Sequence, residues 1–411
     1  MQIGAVVTSE GEMADYTFQK EIARALLSAG SEEVNLRSQP PVAAMAAEVM
    51  AAPKPPIPFP AGLAPKPSVI SPAPPPTDAL PKADVVVVTW TVDEAHALAD
   101  VLTSGTTREH WYPYSKNFAH YDPLIRSGAP AKKAKRLGSY FVTRIGTKKV
   151  LCFKSELHLN QDGIRSKETP GTSTLPVKDL FSQIVDEAKP DVLITAGTAG
   201  GVFTDQDLGD VVVTRAAKFR LQDEFKNEPF NNKKYESHWQ IPTKHFADAV
   251  QLMAGFKSQI QEPAEFLPPT VNFTKPQGGY PKPLHPYDPD IWLDGQVVNG
   301  STRMPAFHPI LTTDYFEYGT STNHLDKEGC AVEMGDAVLG LAMEERKAAG
   351  KSVPKWAVVR NCSDPQINGL LRDAPKKDSL QIMWAVYYYT SFGYLTSVMS
   401  SLAVWGIIAG L

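Results

Sequence analysis

Apolar residues along this chain fall into two periods, and the change from one to the other delimits the elements. Ala83–Thr89 (ADVVVVT) is an unbroken apolar run of the kind that fills a strand buried on both faces, and Val92–Leu102 directly after it repeats its apolar positions at helical spacing. The same alternation returns further on. Val150–Phe153 reads as a strand, Leu175–Ala188 as a helix and Asp191–Thr195 as a strand. Val211–Val213, Ala306–Thr312 and Lys355–Asn361 are further apolar runs, and Glu333 through Met343 is helical. Strands alternating with helices predict an α/β domain around one sheet.

Several stretches break the pattern. Tyr16–Ala29 places Phe18, Ile22, Ala25 and Leu26 at helical spacing with Gly30 as a C-cap, so residues 1–39 read as a small helical extension, either packing or docking to a partner. Pro40–Pro81 is dense in proline and alanine and poor in aromatic residues, which predicts a polyproline-like linker over 40–82 and a domain over 83–411. Residues 226–303 have little periodicity beyond His245–Phe256 and read as an insertion forming a lid, a substrate-side wall or an oligomer contact. Trp239, Tyr280, Tyr287 and Trp292 are either wall residues or plain packing. Ser379–Leu411 carries no charge, which fits a membrane span or a buried helix with an oligomer-contact tail. The Ser, Thr, Gln, Tyr and Gly scattered through it favour the buried helix.

Composition narrows the function class. The 411 residues carry a formal net charge of −4, and basic clusters such as Lys132–Arg136 are short and lack interleaved aromatics, so an obligate nucleic-acid partner is not expected. Cys152, Cys330 and Cys362 show no Cys-x-x-Cys spacing and read as reduced core residues of a cytoplasmic protein with no zinc site. Met1–Gly30 lacks the basic and apolar regions of a secretory signal.

Candidate chemistry gathers around Lys189–Thr214. Strand-like Asp191–Thr195 runs into Ala-Gly-Thr-Ala-Gly-Gly at Ala196–Gly201, a turn for small residues, before the run at Val211. Glycines past a strand's carboxyl end let backbone N–H groups approach a ligand, though they equally suit a tight turn between core strands. With Leu208-Gly209-Asp210-Val211-Val212 after it, then Ala331-Val332-Glu333-Met334 and Val359-Arg360-Asn361-Cys362-Ser363-Asp364 in order, the sequence from about Ala83 onward resembles the purine nucleoside phosphorylase and nucleosidase superfamily, including methylthioadenosine/S-adenosylhomocysteine nucleosidase-like and AMP nucleosidase-like proteins.

The resemblance implies a three-layer α/β/α sandwich with a twisted mixed sheet and hydrolysis of a purine N-glycosidic bond. It implies Asp364, beside Ser363, as the acid that protonates the base; Asp364-Pro365 is also a good turn initiator. Glu94, with Asp93 as fallback, is implied to hold the attacking water; the alternative is a solvated carboxylate in a helix's first turn. Ala199 and Gly200 are implied at the substrate, Phe316 as a stacking face or simple core, and Met334 against the sugar. Glu333 or Asp336 is implied to hold the sugar. Where family members carry a second glutamate after the methionine this chain has Gly335, which puts an ordinary ribonucleoside in doubt.

The family's Gly-Asp-Pro-x-Arg phosphate segment is missing, so water is the expected nucleophile, with a phosphorylase as the alternative and Arg144 and Arg165 as the arginines to consider. Thr172, Ser173 and Thr174 ahead of the Leu175 helix are a possible anion or water site. No cofactor and no metal is implied. The expected partner is a small-molecule purine nucleoside or nucleotide, and a homo-oligomer is expected. A nucleoside-sensing module without turnover is the reading outside enzymology.

Overall fold

The computed structural model describes residues 56–159, 163–164, 170–259, 288, 290–295, 304–372 and 379–411. The helix expected at Tyr16–Ala29 lies outside them, as do Tyr280, Tyr287 and Arg165. One mixed sheet contains thirteen strands among the described residues. The first six are β1 (Lys66–Ser68), β2 (Val85–Thr89), β3 (Tyr112–Tyr114), β4 (Gly138–Ile145), β5 (Lys148–Ser155) and β6 (Val192–Gly201). The rest are β7 (Val211–Thr214), β8 (Ala216–Phe219), β9 (Lys234–Glu236), β10 (Ile291–Leu293), β11 (Ile310–Thr312), β12 (Ala331–Glu333) and β13 (Lys355–Asp364).

The most apolar runs occupy the middle. β2 and β6 are buried along their whole length and β13 in all but its first residue, as strands covered on both faces must be. β13 runs parallel to one edge of β6, from Lys355 beside Val192 to Asp364 beside Gly200. The opposite edge of β6 is shared. β2 pairs with Val192–Thr195 in parallel, and β12 pairs antiparallel with Gly200 and Gly201. Between them, on that edge, the backbone of β6 around Gly197 and Thr198 has no strand beside it among the described residues, and side chains reach it there.

Five long helices among the described residues complete the layers. α1 (Val92–Leu102), α3 (Phe246–Ala254) and α5 (Leu380–Ala409) pack together over one face, while α2 (Pro176–Ala188) and α4 (Asp336–Ala348) pair on the other. The result is the expected three-layer α/β/α arrangement. α1 starts with a capping box: Glu94 N donates to Thr91 Oγ1 at 3.3 Å, and Thr91 N donates to Glu94 Oε2 at 2.8 Å.

Three expectations change. The Ala196–Gly201 segment is not a turn but the last part of β6, and the chain turns only after Gly201. Small residues serve close approach there, not reversal. The proline-rich stretch, where described, is not a free linker: β1 pairs with β4, Leu80 is buried, and Trp405 donates its indole N–H to the Leu63 carbonyl at 2.8 Å. Ile57, Phe59, Leu63 and Ile70 supply the apolar area that composition alone had hidden. The insertion contributes β9, α3 and β10 to the domain. Trp239 bonds the Trp356 carbonyl at 2.9 Å and Trp292 bonds Asp210 Oδ2 at 3.1 Å, so both are packing residues and not cleft walls. α5 is long and apolar enough to span a membrane, and 83% of its most apolar window is buried within the molecule.

Candidate active site

The cleft opens where β2 ends and β12 begins along β6. It encloses about 590 Å³ counting its open mouth. Gly197 explains how charge enters so tight a place. A Cβ there would lie 2.3 Å from Glu94 Oε1 and 2.6 Å from Arg360 Nη1, so any side chain would push both groups away.

Arg360, in the middle of β13 and only 3% exposed, organises one end of the cleft. Its Nε and Nη2 donate to the two oxygens of Asp336 at 2.8 and 2.7 Å. Nη2 also lies 3.4 Å from Glu333 Oε2, Nη1 lies 3.7 Å from Glu94 Oε1, and the guanidinium carbon stands 4.9 Å from the centre of the Trp90 ring. One buried cation is thus surrounded by three acidic side chains.

Glu94 is saturated with donors. Thr89 Oγ1, Trp90 N and Thr91 N donate to Oε2 at 2.9, 3.0 and 2.8 Å, and Thr198 N and Oγ1 donate to Oε1 at 2.8 and 2.9 Å. Burial opposes its charge, yet Arg360 and the backbone donors of Thr91, Thr198 and Trp90 outweigh burial and hold the pKa below the usual carboxylate value. It is buried, not the solvated first-turn carboxylate that was one expectation. Glu333 accepts from Gly335 N at 2.5 Å, from Asp336 N at 2.9 Å and from the Thr312 hydroxyl. Burial, then the neighbouring Asp336 carboxylate, push its pKa up to about 8 against the pull of Arg360.

The other end is poor in donors. Between Cys362 and Asp364 the pairing of β13 with β6 slips by a bulge, which re-aims the last residues of the strand. Ser363 Oγ donates to the Ala199 carbonyl at 3.2 Å and to Asp364 Oδ1 at 3.2 Å. Asp364 Oδ2 is buried with no hydrogen-bond partner, and a Cβ on Gly200 would come within 2.9 Å of it. Burial raises Asp364 to about 7, with the Ser363 hydroxyl pulling the other way. Phe316 and Tyr389 line the same cleft, ring centres 6.5 Å apart and edge to face, and Met334 and Val332 add apolar wall.

Sequence-derived candidates divide accordingly. Glu94, Ala199, Gly200, Phe316, Glu333, Met334, Ser363 and Asp364 all line the cleft. Asp336 does not: it is fully buried and gives both oxygens to Arg360, so a direct bond to a sugar is replaced by a hold on the arginine. Thr172, Ser173 and Thr174 are also elsewhere. Ser173 Oγ and Gly171 N donate to Glu228 at 2.5 and 2.9 Å, and Thr174 Oγ1 donates to the Leu124 carbonyl at 2.7 Å. An internal carboxylate therefore occupies the anion-friendly position.

Arg360, Trp90, His158, Thr198 and Tyr389 line the cleft without having been singled out for it. Arg360 was detectable as a lone charge inside the apolar run Trp356–Cys362, since a buried arginine demands acidic partners. His158 follows β5 at its carboxyl end, the right side of the sheet. Nothing local marks Tyr389, which arrives from α5.

No family model and no curated protein matches the chain. Among solved structures it is similar to 5′-methylthioadenosine/S-adenosylhomocysteine nucleosidase from Neisseria meningitidis in complex with methylthio-immucillin-A, at 12% identity over 80% of this chain and 99% of that one, with a TM-score of 0.38. It is similar also to futalosine hydrolase of Helicobacter pylori, at 11% identity over 80% and 97% of the two chains and a TM-score of 0.40. S-adenosylhomocysteine nucleosidase from Streptococcus pyogenes with 5-methylthiotubericidin gives 14% identity over 81% and 99%, at a TM-score of 0.40. Likeness at this level says nothing of activity.

Proposed function

We propose that the chain hydrolyses the N-glycosidic bond of a purine nucleoside or nucleotide and releases the free base. The observation that carries this reading is Asp364, a buried carboxyl raised to about 7 with one oxygen lacking any partner at the cleft wall. A carboxyl protonated near neutrality can donate to a ring nitrogen such as purine N7, so that the base leaves neutral as the carbon–nitrogen bond breaks. The bonding pair stays with the base, and positive charge develops on the sugar.

The opposite end of the cleft suits that charge. Even with Glu333 protonated, the Glu94 and Asp336 carboxylates outweigh the one guanidinium, and charges held fixed in buried positions stabilise a developing cation without reorganising. Phe316 and Tyr389 offer flat apolar surface to a base, where stacking is worth ~1–3 kcal/mol. Glu94 has five protein donors already, so its role is to carry negative charge and to fix Thr198 and Arg360 beside an attacking water, and its low pKa makes it a weak base.

Water is favoured over phosphate by the charge of the cleft. Among the described residues Arg360 is the one cationic side chain lining it, and its nitrogens are shared among carboxylates. Arg144 is exposed on β4, beside Lys66 of β1. The test is product analysis with dialysed protein in phosphate-free buffer. Free base with free sugar is expected; activity that requires phosphate and yields a sugar 1-phosphate would make the chain a phosphorylase.

A further inference from the structure

Tyr389 reaches from one end of the cleft to the other. α5 packs against α1, which brings this side chain beside Thr91, the N-cap of α1, and Thr198 of β6. Its ring meets Phe316 edge to face, with centres 6.5 Å apart, while its hydroxyl stands among the Thr91 and Thr198 hydroxyls and near the Glu94 carboxylate. All of these residues line the cleft. The ring therefore belongs to the base end and the hydroxyl to the charged end.

The hydrogens in this group can be assigned one by one. Glu94 is held as an anion and can only accept. Thr198 Oγ1 gives its single hydrogen to Glu94 Oε1 at 2.9 Å, so toward Tyr389 that oxygen can only accept. The phenol hydrogen then points to Thr198, and the phenol oxygen is left as an acceptor. Thr91 is its complement: Oγ1 accepts from Glu94 N at 3.3 Å and still has a hydrogen to give. Burial, then the charges of Glu94 and Asp93, raise the pKa of Tyr389, so the phenol stays protonated and takes no proton from a ligand. An acceptor and a donor side by side, where the five donors to Glu94 leave that carboxylate little to offer, form a seat for one water.

We infer that Tyr389 is a positioning residue for the nucleophile: its hydroxyl oxygen accepts a hydrogen from the attacking water and, with Thr91, turns a lone pair of that water toward the anomeric carbon. This rests on the hydrolase reading. The water oxygen bonds to the carbon as the carbon–nitrogen pair leaves with the base, which takes the Asp364 proton; the surplus proton of the water goes to solvent, from which Asp364 is reprotonated. Misplacing a reacting group by an ångström can cost ~10²-fold, which sets the scale for losing one anchor of the water.

The experiment measures kcat and KM for adenosine and inosine in the wild type and Tyr389→Phe, with a melting curve for each. Calorimetric titration with the same nucleosides in Asp364→Asn, with and without Tyr389→Phe, gives affinity, and buffer containing methanol gives the ratio of methyl glycoside to free sugar. Expected are a kcat lower by about ten- to a hundredfold, affinity within about threefold, and a methyl glycoside ratio raised by about threefold or more, because removing the hydroxyl frees the water and leaves room for a methyl group. An unchanged kcat, a loss carried by affinity alone, or a lower kcat with an unchanged product ratio overturns the inference and leaves the hydrolase standing. The product ratio is read on folded, active molecules only, so it decides even where Tyr389→Phe melts early. If the wild type releases no base, or releases it only with formation of a sugar 1-phosphate, the hydrolase reading fails and the inference falls with it.

Discussion

The two ends of the cleft place carboxyl groups in opposite circumstances. Glu94 and Asp364 are both nearly inaccessible to solvent, yet Glu94 receives five donors and stands near a guanidinium, while Asp364 receives one hydroxyl and keeps an oxygen without a partner. Burial favours the neutral form of each; only the supply of donors and positive charge differs. One is therefore held as an anion and the other as an acid at the same pH. Acid–base roles follow from environments that push like groups apart.

The largest effect is expected from disabling the donor-poor end. Asp364→Asn removes the proton and should lower base release by about 10²–10⁴-fold with little change in ligand affinity, measured by product assay beside titration calorimetry. In the wild type kcat/KM should fall as pH rises through about 7, because the acid form is the active one. Stability moves with the same sign: a raised folded pKa stabilises fully below the ordinary carboxylate range and loses that contribution as pH climbs through 7. Asp364→Asn should flatten that slope in melting temperature, and a pH profile identical to wild type would remove Asp364 as the acid.

Next comes the charged end. Arg360→Met keeps apolar bulk but leaves Asp336, Glu333 and Glu94 without their shared cation, and loss of one partner from a buried ion network costs about 3–5 kcal/mol. Chemical denaturation should register that loss, and a variant of wild-type stability would show that the carboxylates are not held by Arg360. The smallest expected effect probes the spacing between the ends. Gly197→Ala forces a methyl against Glu94 and Arg360, for an overpacking cost of about 1–3 kcal/mol. It should cut turnover without altering the pH at which Asp364 titrates; a shift of that pH would mean the two ends are coupled through β6.

Much of the frame was legible because burial on both faces writes a continuous apolar run. Ala83–Thr89, Asp191–Thr195 and Lys355–Asn361 became β2, β6 and β13, lengthened in β6 and β13 beyond the apolar stretch by backbone pairing that polar and small residues can join. Asp364 and Glu94 were legible through the resemblance carried by the ordered motifs, and the fold brings them to one cleft because the carboxyl ends of parallel strands lie together.

What only the tertiary structure decided was which groups neutralise one another. Sequence could offer Glu333 and Asp336 alike for a sugar, but Arg360, 24 residues beyond Asp336, claims both oxygens of that aspartate. Proline-rich chain near Lys66 looked coreless until a sheet edge and Trp405 were set against it. Tyr389 entered the cleft from a helix whose composition speaks only of burial. Apolar periodicity is local and survives in the sequence, whereas charge pairing, donor supply and the pKa values they set depend on distances between segments far apart in the chain, which exist only once it has folded.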